Sequence, residues 1–170
     1  MNNSQIKKLM MKFRNGKLFG GVYCADNLPK KPKVNYGYIV NTDNCASSGT
    51  HWVAFYFPSN QMPEYFDSNG FPPMNFRFLD FLGYQKHFFF SNLALQSSES
   101  FYCGFFCIYY LCERMKGKDP ISVINAFDQL NKKNNDFFLE NYIRKTFRVD
   151  INNYYDHEYI NRYEEEEKFF

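Results

Sequence analysis

Residues 51–57 have the sequence HWVAFYF, and residues 63–67 have the sequence PEYFD. Valine and aromatic residues dominate both stretches, as they do in buried strands, and residues 58–60 (PSN) between them favour a turn. The two stretches therefore predict a β-hairpin. Because the first residue of one antiparallel strand lies beside the last residue of the next, we expect His51 and Asp67 to come within side-chain reach of each other.

Helices are predicted on both sides of this hairpin. Apolar residues at helical spacing predict a short amphipathic helix over residues 4–13, and residues 103–115 have a helix-like pattern. The other predicted elements are strands over residues 36–42 and 87–90, and helices over residues 76–82, from Pro120 onwards and over residues 137–147. Glycines at 16, 20 and 21 indicate a loop. The pattern predicts a single compact α+β domain over residues 1–170, frayed at residues 157–170.

Composition indicates an aromatic core and an uneven distribution of charge. The 170-residue chain contains 21 phenylalanines and 14 tyrosines, and rings bury large apolar areas. Residues 1–50 carry eight lysines and arginines against two aspartates, a net charge of +6, whereas residues 164–167 are four glutamates. The basic N-terminal third is compatible with DNA binding, although a solvated lysine face is the simpler interpretation.

The cysteines indicate an intracellular protein. There are five of them, with no C-x-x-C pair, which is a poor disulfide framework and a poor zinc signature. We therefore expect reduced thiols, no metal and no secretion. No apolar stretch precedes Leu9, so a secretory signal is not expected, and the apolar runs are far shorter than the roughly 18 residues of a membrane span.

Cys103 is the candidate nucleophile. It follows the polar residues 97–100 and begins an apolar helix, where the helix dipole and free N–H groups favour the thiolate. Gly104 would let a substrate approach closely. Cys107 and Cys112 lie deeper in the same helix, and we expect them to pack in the core. Without partners, Cys103 would also be read more simply as a core residue.

Three further residues complete a thiol peptidase site. His51 can take the thiol proton, and Asp67 can fix the tautomer of the imidazole. Gln96, seven residues before Cys103, can donate to an oxyanion together with the Cys103 N–H. Taken alone, His51 is more simply a surface residue, Asp67 a turn residue, and Gln96 a weak signal. Together, the four residues are the set that a cysteine peptidase requires.

The same residues resemble a known family. Residues 39–43 (IVNTD), 49–55 (GTHWVAF), 65–70 (YFDSNG), 95–97 (LQS) and 103–107 (CGFFC) are similar to motifs of the adenovirus maturation protease (adenain) family, which includes proteases of Maverick/Polinton-type elements and related viruses. The resemblance spans residues 19–115. It implies a central mixed sheet flanked by helices, in the papain-like arrangement of the ubiquitin-like-protein protease clan. It also implies His51, Asp67 and Cys103 as catalytic residues, Gln96 in the oxyanion hole, and Trp52 and Gly104 at the substrate.

The family resemblance implies an endopeptidase that cleaves capsid and core precursor proteins at glycine-containing sites, in the virion or in the host nucleus or cytoplasm. Adenoviral members are linked by a disulfide to a viral peptide through a cysteine between the acid and the nucleophile. This chain has no cysteine between residues 46 and 102, so we expect no covalent peptide link, whereas activation by DNA, which suits the charge, or by a viral peptide stays open. We expect a monomer that acts on protein substrates and does not bind membranes.

Two other interpretations of the sequence remain. The four residues would also serve a deconjugating protease for a ubiquitin-like modifier, although no broad docking segment for a folded modifier is evident in so short a chain. Alternatively, the chain is an inactive DNA-binding structural protein that keeps the fold. A metal site formed by Cys103, Cys107 and His51 lacks a convincingly spaced further ligand.

Overall fold

The computed structural model describes residues 1–47, 49–83 and 87–154. In chain order the elements are α1 (Asn3–Lys12), a 3₁₀ turn (Gly16–Leu18), β1 (Phe19–Cys24), β2 (Gly37–Asn41), β3 (Trp52–Tyr56), β4 (Glu64–Phe66), α2 (Phe76–Leu82), β5 (Phe89–Phe90), α3 (Cys103–Met115), α4 (Pro120–Ile124), α5 (Lys133–Phe147) and a second 3₁₀ turn (Ile151–Tyr154). The tail over residues 157–170, predicted to be frayed, lies outside the described residues.

The five strands form one mixed sheet in the order β1-β2-β3-β4-β5. β3 is antiparallel to β2 and to β4, whereas the two outer pairs, β1–β2 and β4–β5, are parallel. In the β3–β4 hairpin, Ala54 pairs with Phe66 and Tyr56 pairs with Glu64. The predicted hairpin and the α+β class with a central mixed sheet are therefore confirmed. The first residue of β3 and the last residue of β4 lie at the same end of the sheet, where the candidate site forms.

Strand β1 contradicts the predicted loop around Gly20 and Gly21. A Cβ at Gly20 would stand 2.2 Å from the ring of Tyr38, so the ring packs directly against the backbone. Gly21 has a φ of 131°, which favours glycine, and the pairing of β1 with β2 is irregular between Phe19 and Gly21. These glycines therefore serve a bulge and a close approach inside a strand rather than a loop.

Two apolar layers cover the sheet. Trp52, Ala54 and Tyr56 of β3 face the larger core together with α1, α3 and α5. Val53 and Phe55 face the smaller core, which α2 covers. Every residue of α3 is buried, which is the position expected for a helix that is apolar nearly all round. Because α3 is a central helix, the core fixes the position of its first residue, Cys103.

A buried ion pair joins α3 to β4. Arg114 Nε donates to Glu64 Oε2 over 2.8 Å, and the Tyr110 hydroxyl donates to the same oxygen over 2.7 Å. Glu64 is 1% exposed and Arg114 is 5% exposed, so removal of one partner would leave an uncompensated buried charge. The contact fixes α3 relative to β4, and therefore Cys103 relative to Asp67.

Cys24 and Cys45 form a disulfide, so the expectation of five reduced thiols is wrong for this pair. The bridge joins the last residue of β1 to the connection between β2 and β3, and Asp26 Oδ1 accepts from the Cys45 N–H over 2.9 Å. The two cysteines are 21 residues apart in the sequence, and no local pattern predicts their pairing. The bridge restrains the loop that ends at His51. The free cysteines are Cys103, Cys107 and Cys112.

The predicted helices are confirmed; α2 and α3 have the predicted bounds, whereas the bounds of α1 and α5 are shifted. α5 begins at Lys133, four residues before its predicted start. The prediction missed the first turn because residues 134–136 are polar and show no helical apolar pattern. β5 contains only two of the four residues predicted for it. Asp119 caps α4 through its side chain, and Pro120 is the first helical residue, as predicted. No helix within residues 1–47, 49–83 and 87–154 combines the length and apolarity needed to cross a bilayer.

Candidate active site

His51 and Asp67 meet at one end of the sheet, as the hairpin predicts. His51 immediately precedes β3 and Asp67 immediately follows β4, and His51 Nε2 lies 2.8 Å from Asp67 Oδ1. Asp67 is 3% exposed, and its Oδ1 also accepts from the Asn69 N–H over 2.8 Å. The carboxylate therefore starts a turn and orients the imidazole at the same time. The interpretation of Asp67 as a turn residue is therefore compatible with its contact with His51.

The loop before β3 fixes the backbone of His51. The Thr42 N–H donates to the His51 carbonyl over 2.9 Å. The Thr50 N–H and hydroxyl both donate to Asp43 Oδ2, each over 2.9 Å. Since Ala25 in turn donates its N–H to the Asp43 carbonyl, the base is held by contacts that continue to the end of β1. The imidazole is thus fixed through its backbone as well as through Asp67.

The Cys103 thiol is a second hydrogen-bonding partner of the same imidazole. Cys103 is the first residue of α3 and is 9% exposed. Burial of the ring disfavours the charged form of His51, but hydrogen bonds to Asp67 and Cys103, with the charges of both, raise its pKa to about 9. Because Nε2 is engaged with Asp67, Nδ1 is the ring nitrogen available to the thiol. Cys103, His51 and Asp67 therefore form one connected set.

A first prediction concerns this pKa. We expect His51 to titrate near pH 9 in the native protein and closer to 6.5 in Asp67→Asn, because the amide removes the negative charge that favours the imidazolium. The raised pKa contributes stability that is complete below about pH 6.5 and is lost as the pH rises through 9. NMR titration of the His51 ring protons measures both proteins, with His51→Gln to assign the signal. Equal midpoints in the two proteins would contradict the prediction.

Gln96 is hydrogen-bonded to residues that lie close to Asp67 and to Cys103 in the sequence. It is 8% exposed; its Oε1 accepts from the Ser68 hydroxyl over 2.7 Å, and its Nε2 donates to the Ser100 carbonyl over 2.5 Å. The backbone N–H groups of Leu95 and Gln96 both donate to the Ser68 carbonyl. Ser68 directly follows Asp67, and Ser100 lies three residues before Cys103. A primary amide has two N–H donors, so one stays available beside the contact with Ser100.

Trp52 and Gly104, expected at the substrate, lie against each other. Trp52 is 6% exposed, and a Cβ at Gly104 would stand 3.5 Å from its ring. The same Cβ would stand 3.0 Å from Met1 Sδ, and the Trp52 indole N–H donates to the Met1 carbonyl over 3.2 Å. The absence of a side chain at Gly104 therefore leaves room that Met1 and Trp52 share.

The other two free thiols are core residues, as predicted. Cys107 is fully buried, and its thiol contacts the Trp52 carbonyl at 3.3 Å. Burial raises the pKa of Cys107 well above its ordinary value and that of Cys112 to about 12. A thiol that stays protonated is a poor nucleophile. Among the free cysteines, only Cys103 contacts the imidazole of His51.

A group of potential metal ligands lies elsewhere among the described residues. One group of three potential ligand side chains lies within 4.8 Å, and it consists of Cys24, Asp26 and Cys45. The two sulfur atoms of this group are joined in the disulfide, and none of its members belongs to the site around Cys103.

Comparisons with known proteins find similarity to solved structures but not to known sequences. Neither a protein-family model nor a curated protein matches the sequence. The fold is similar to the crystal structure of the selenomethionine form of the African swine fever virus (ASFV) pS273R protease, with a TM-score of 0.49 and 22% sequence identity. The likeness covers 67% of this chain and 44% of that one. The chain thus matches less than half the length of that protease.

Proposed function

We propose that this protein is a cysteine endopeptidase in which Cys103 attacks a peptide carbonyl, His51 transfers the proton and Asp67 orients His51. The observation that carries the proposal is the placement of one imidazole between a buried carboxylate and a thiol at a helix N-terminus. Each side chain has the neighbour that its role requires. Further support comes from the two remaining free thiols, which are buried and held protonated.

The reaction follows from this arrangement. With a pKa of about 9, His51 carries a proton at pH 7, and we infer that this proton comes from the thiol. The Cys103 sulfur forms a bond to the carbonyl carbon, and collapse of the tetrahedral adduct breaks the C–N bond while His51 protonates the leaving amine. Water then attacks the thioester, His51 takes a proton from it, and the sulfur leaves.

Gln96 is proposed as one of two donors to the oxyanion, with the Cys103 N–H as the other. Its amide is held at both ends, by Ser68 and by Ser100, so a remaining N–H would need little reorganisation to meet the developing charge. Trp52 and Gly104 are proposed to border the substrate, since they directly follow His51 and Cys103 in the chain.

For the substrate, we propose glycine-containing sites in viral or transposon capsid and core precursor proteins, as the resemblance to the adenain family implies. Glycine near the scissile bond suits a nucleophile whose surroundings leave little space, since Cys103 is 9% exposed and Trp52 is 6% exposed. We likewise propose that the basic N-terminal third binds DNA, that the protein is a monomer and that it is intracellular. Removal of a ubiquitin-like modifier is the second candidate, because it needs the same four residues.

The test uses an electrophilic peptide probe ending in Gly-Gly, followed by peptide mapping of the labelled protein. We expect the label on Cys103 alone among the three free thiols, and we expect cleavage of a capsid-type Gly-Gly-X peptide. Equal labelling of all three thiols after unfolding controls for reagent access. Labelling of another thiol, or no labelling at all, would contradict the proposal of a cysteine endopeptidase. Cleavage of a modifier fusion but not of the peptide would favour the second candidate.

A further inference from the structure

The segment that carries Gln96 connects the two candidate oxyanion donors. This Gln96 segment, residues 95–102, lies between β5 and α3 and has no helix or strand of its own. Gln96 is its second residue, and the Cys103 N–H follows directly after its last. An oxyanion site must hold its donors within a fraction of an ångström of the productive geometry. Its backbone pairs include the Leu95 and Gln96 N–H groups with the Ser68 carbonyl and the Ser100 N–H with the Ser97 carbonyl, and side-chain contacts add to them.

The first two turns of α5 supply these contacts. Asn135 Nδ2 donates to the Leu95 carbonyl over 2.8 Å, Asp136 Oδ1 accepts from the Ser100 hydroxyl over 2.8 Å, and Glu140 Oε1 accepts from the Tyr102 hydroxyl over 2.5 Å. An exposed ion pair between Lys133 and Glu99 adds a fourth contact, at 2.9 Å. The segment is therefore held at both of its ends by neighbouring residues of one helix.

Ser100 is the residue through which these contacts reach the donors. Its carbonyl accepts from Gln96 Nε2, and its hydroxyl oxygen accepts from the Tyr102 N–H over 3.2 Å. A hydroxyl has one hydrogen to donate, and that hydrogen goes to Asp136. The position of Ser100 thus sets one hydrogen bond of Gln96 and the backbone immediately before Cys103.

Asp136 is held at a cost to stability. Burial and the charge of Glu140 raise its pKa to about 6, although the Ser100 hydroxyl acts in the opposite direction. Because the native-state pKa lies above the ordinary value of 3.8, the ionised carboxylate lowers stability, and this cost develops as the pH rises from about 4 to 6. Within the described ranges, no lysine or arginine forms an ion pair with Asp136. A purely stabilising role would not favour an ionised group here.

On the basis of the proposed function, we propose that Asp136 is a positioning residue for peptide cleavage: by accepting the Ser100 hydroxyl hydrogen it fixes the Gln96 segment, and through it the Gln96 amide and the Cys103 N–H. It does not touch the reacting atoms. The contribution is made to the transition state, where the oxyanion exists, and hardly to the bound substrate.

The experiment compares Asp136→Ala with Asp136→Asn on a Gly-Gly-X peptide. We expect kcat to fall about 10- to 100-fold in Asp136→Ala with KM changed less than about twofold. Asp136→Asn keeps an acceptor oxygen for Ser100 and should recover most of kcat. Asn134→Ala is the matched control, because this exposed neighbour in the same turn contacts Asp128 and not the Gln96 segment; its kcat should be unchanged.

Alkylation of Cys103 by iodoacetamide separates positioning from the integrity of the site. This displacement at a saturated carbon develops no carbonyl oxyanion, so its rate should be the same in Asp136→Ala and in the unmodified protein. If kcat and the alkylation rate fall together, Asp136 supports the fold and the proposal is wrong. Unchanged kcat in Asp136→Ala, or an Asp136→Asn variant as slow as Asp136→Ala, also overturns it.

Two measurements test whether Asp136 acts through Gln96. Gln96→Ala should cost about 10²-fold in kcat, and adding Asp136→Ala to it should cost little more, because residues that act through one another are not additive. The side-chain NH₂ resonances of Gln96, assigned with Gln96→Ala, should move in Asp136→Ala and stay in place in Asn134→Ala. Unmoved resonances overturn the proposal without any turnover assay. A protein that cleaves no peptide yet shows the NMR shift would instead count against the proposed function.

Discussion

Cys103→Ala is expected to reduce peptide cleavage by at least about 10⁴-fold, because the acyl-enzyme bond of the proposed reaction forms at the Cys103 sulfur. The two remaining free thiols are buried and have raised pKa values, so neither can substitute. Donors for the oxyanion stay in place, and they permit only a slow attack by water. The rate is measured with a Gly-Gly-X peptide at pH 7.

The fold should tolerate this change. Cys103 lies at the first position of α3 and retains a little exposure, so loss of one sulfur atom creates only a small gap. Cys112→Ala is the matched control: it removes a thiol from the same helix, at a site that is 0% exposed, and should keep full activity. A Cys103→Ala protein that cleaves at the original rate would reject the nucleophile, and an inactive Cys112→Ala would show that the assay reports packing.

The pairing of His51 with Asp67 could be predicted because it depends on a local element. Two strands joined by a short turn determine which ends come together, and the turn signal at residues 58–60 is strong. The Cys103 helix could be predicted for a similar reason, since polar residues give way abruptly to a helical apolar pattern. The buried contact between Glu64 and Arg114 joins the hairpin to the helix. These two residues are 50 apart in the sequence, so no local pattern predicts their contact.

The parts that could not be predicted depend on contacts between distant residues. Gly20 and Gly21 are typical of a loop, and only the ring of Tyr38 packed over Gly20 explains their place in a strand. Cys24 and Cys45 show no motif, and their pairing follows from the sheet bringing β1 beside the loop before β3.

Asp136 was missed for the same reason. Its partner, Ser100, lies 36 residues away, and its neighbours at 134 and 135 are asparagines that gave no helical apolar signal. A polar residue that acts on a site through another polar residue leaves no trace in hydrophobic periodicity.

His51→Ala is expected to lower kcat/KM about 10³- to 10⁴-fold at pH 7, because the change removes both the partner of the thiolate and the acid for the leaving amine. His87→Ala is the matched control, since His87 is exposed and the site does not use it; its rate should be unchanged. Asp67→Asn should be less severe than His51→Ala, because the imidazole stays and only its orienting charge is lost.

The pH profile distinguishes loss of the base from damage to the site. In the unmodified protein, activity should fall on the alkaline side as His51 loses its proton near pH 9, since the leaving amine then lacks its acid. That limb should move towards pH 6.5 in Asp67→Asn and vanish in His51→Ala. Alkylation of Cys103 at pH 7 should also slow in His51→Ala, because the imidazolium no longer stabilises the thiolate. An alkaline limb that persists unchanged without His51 would mean that another group supplies the proton, and the assignment of the base would be wrong.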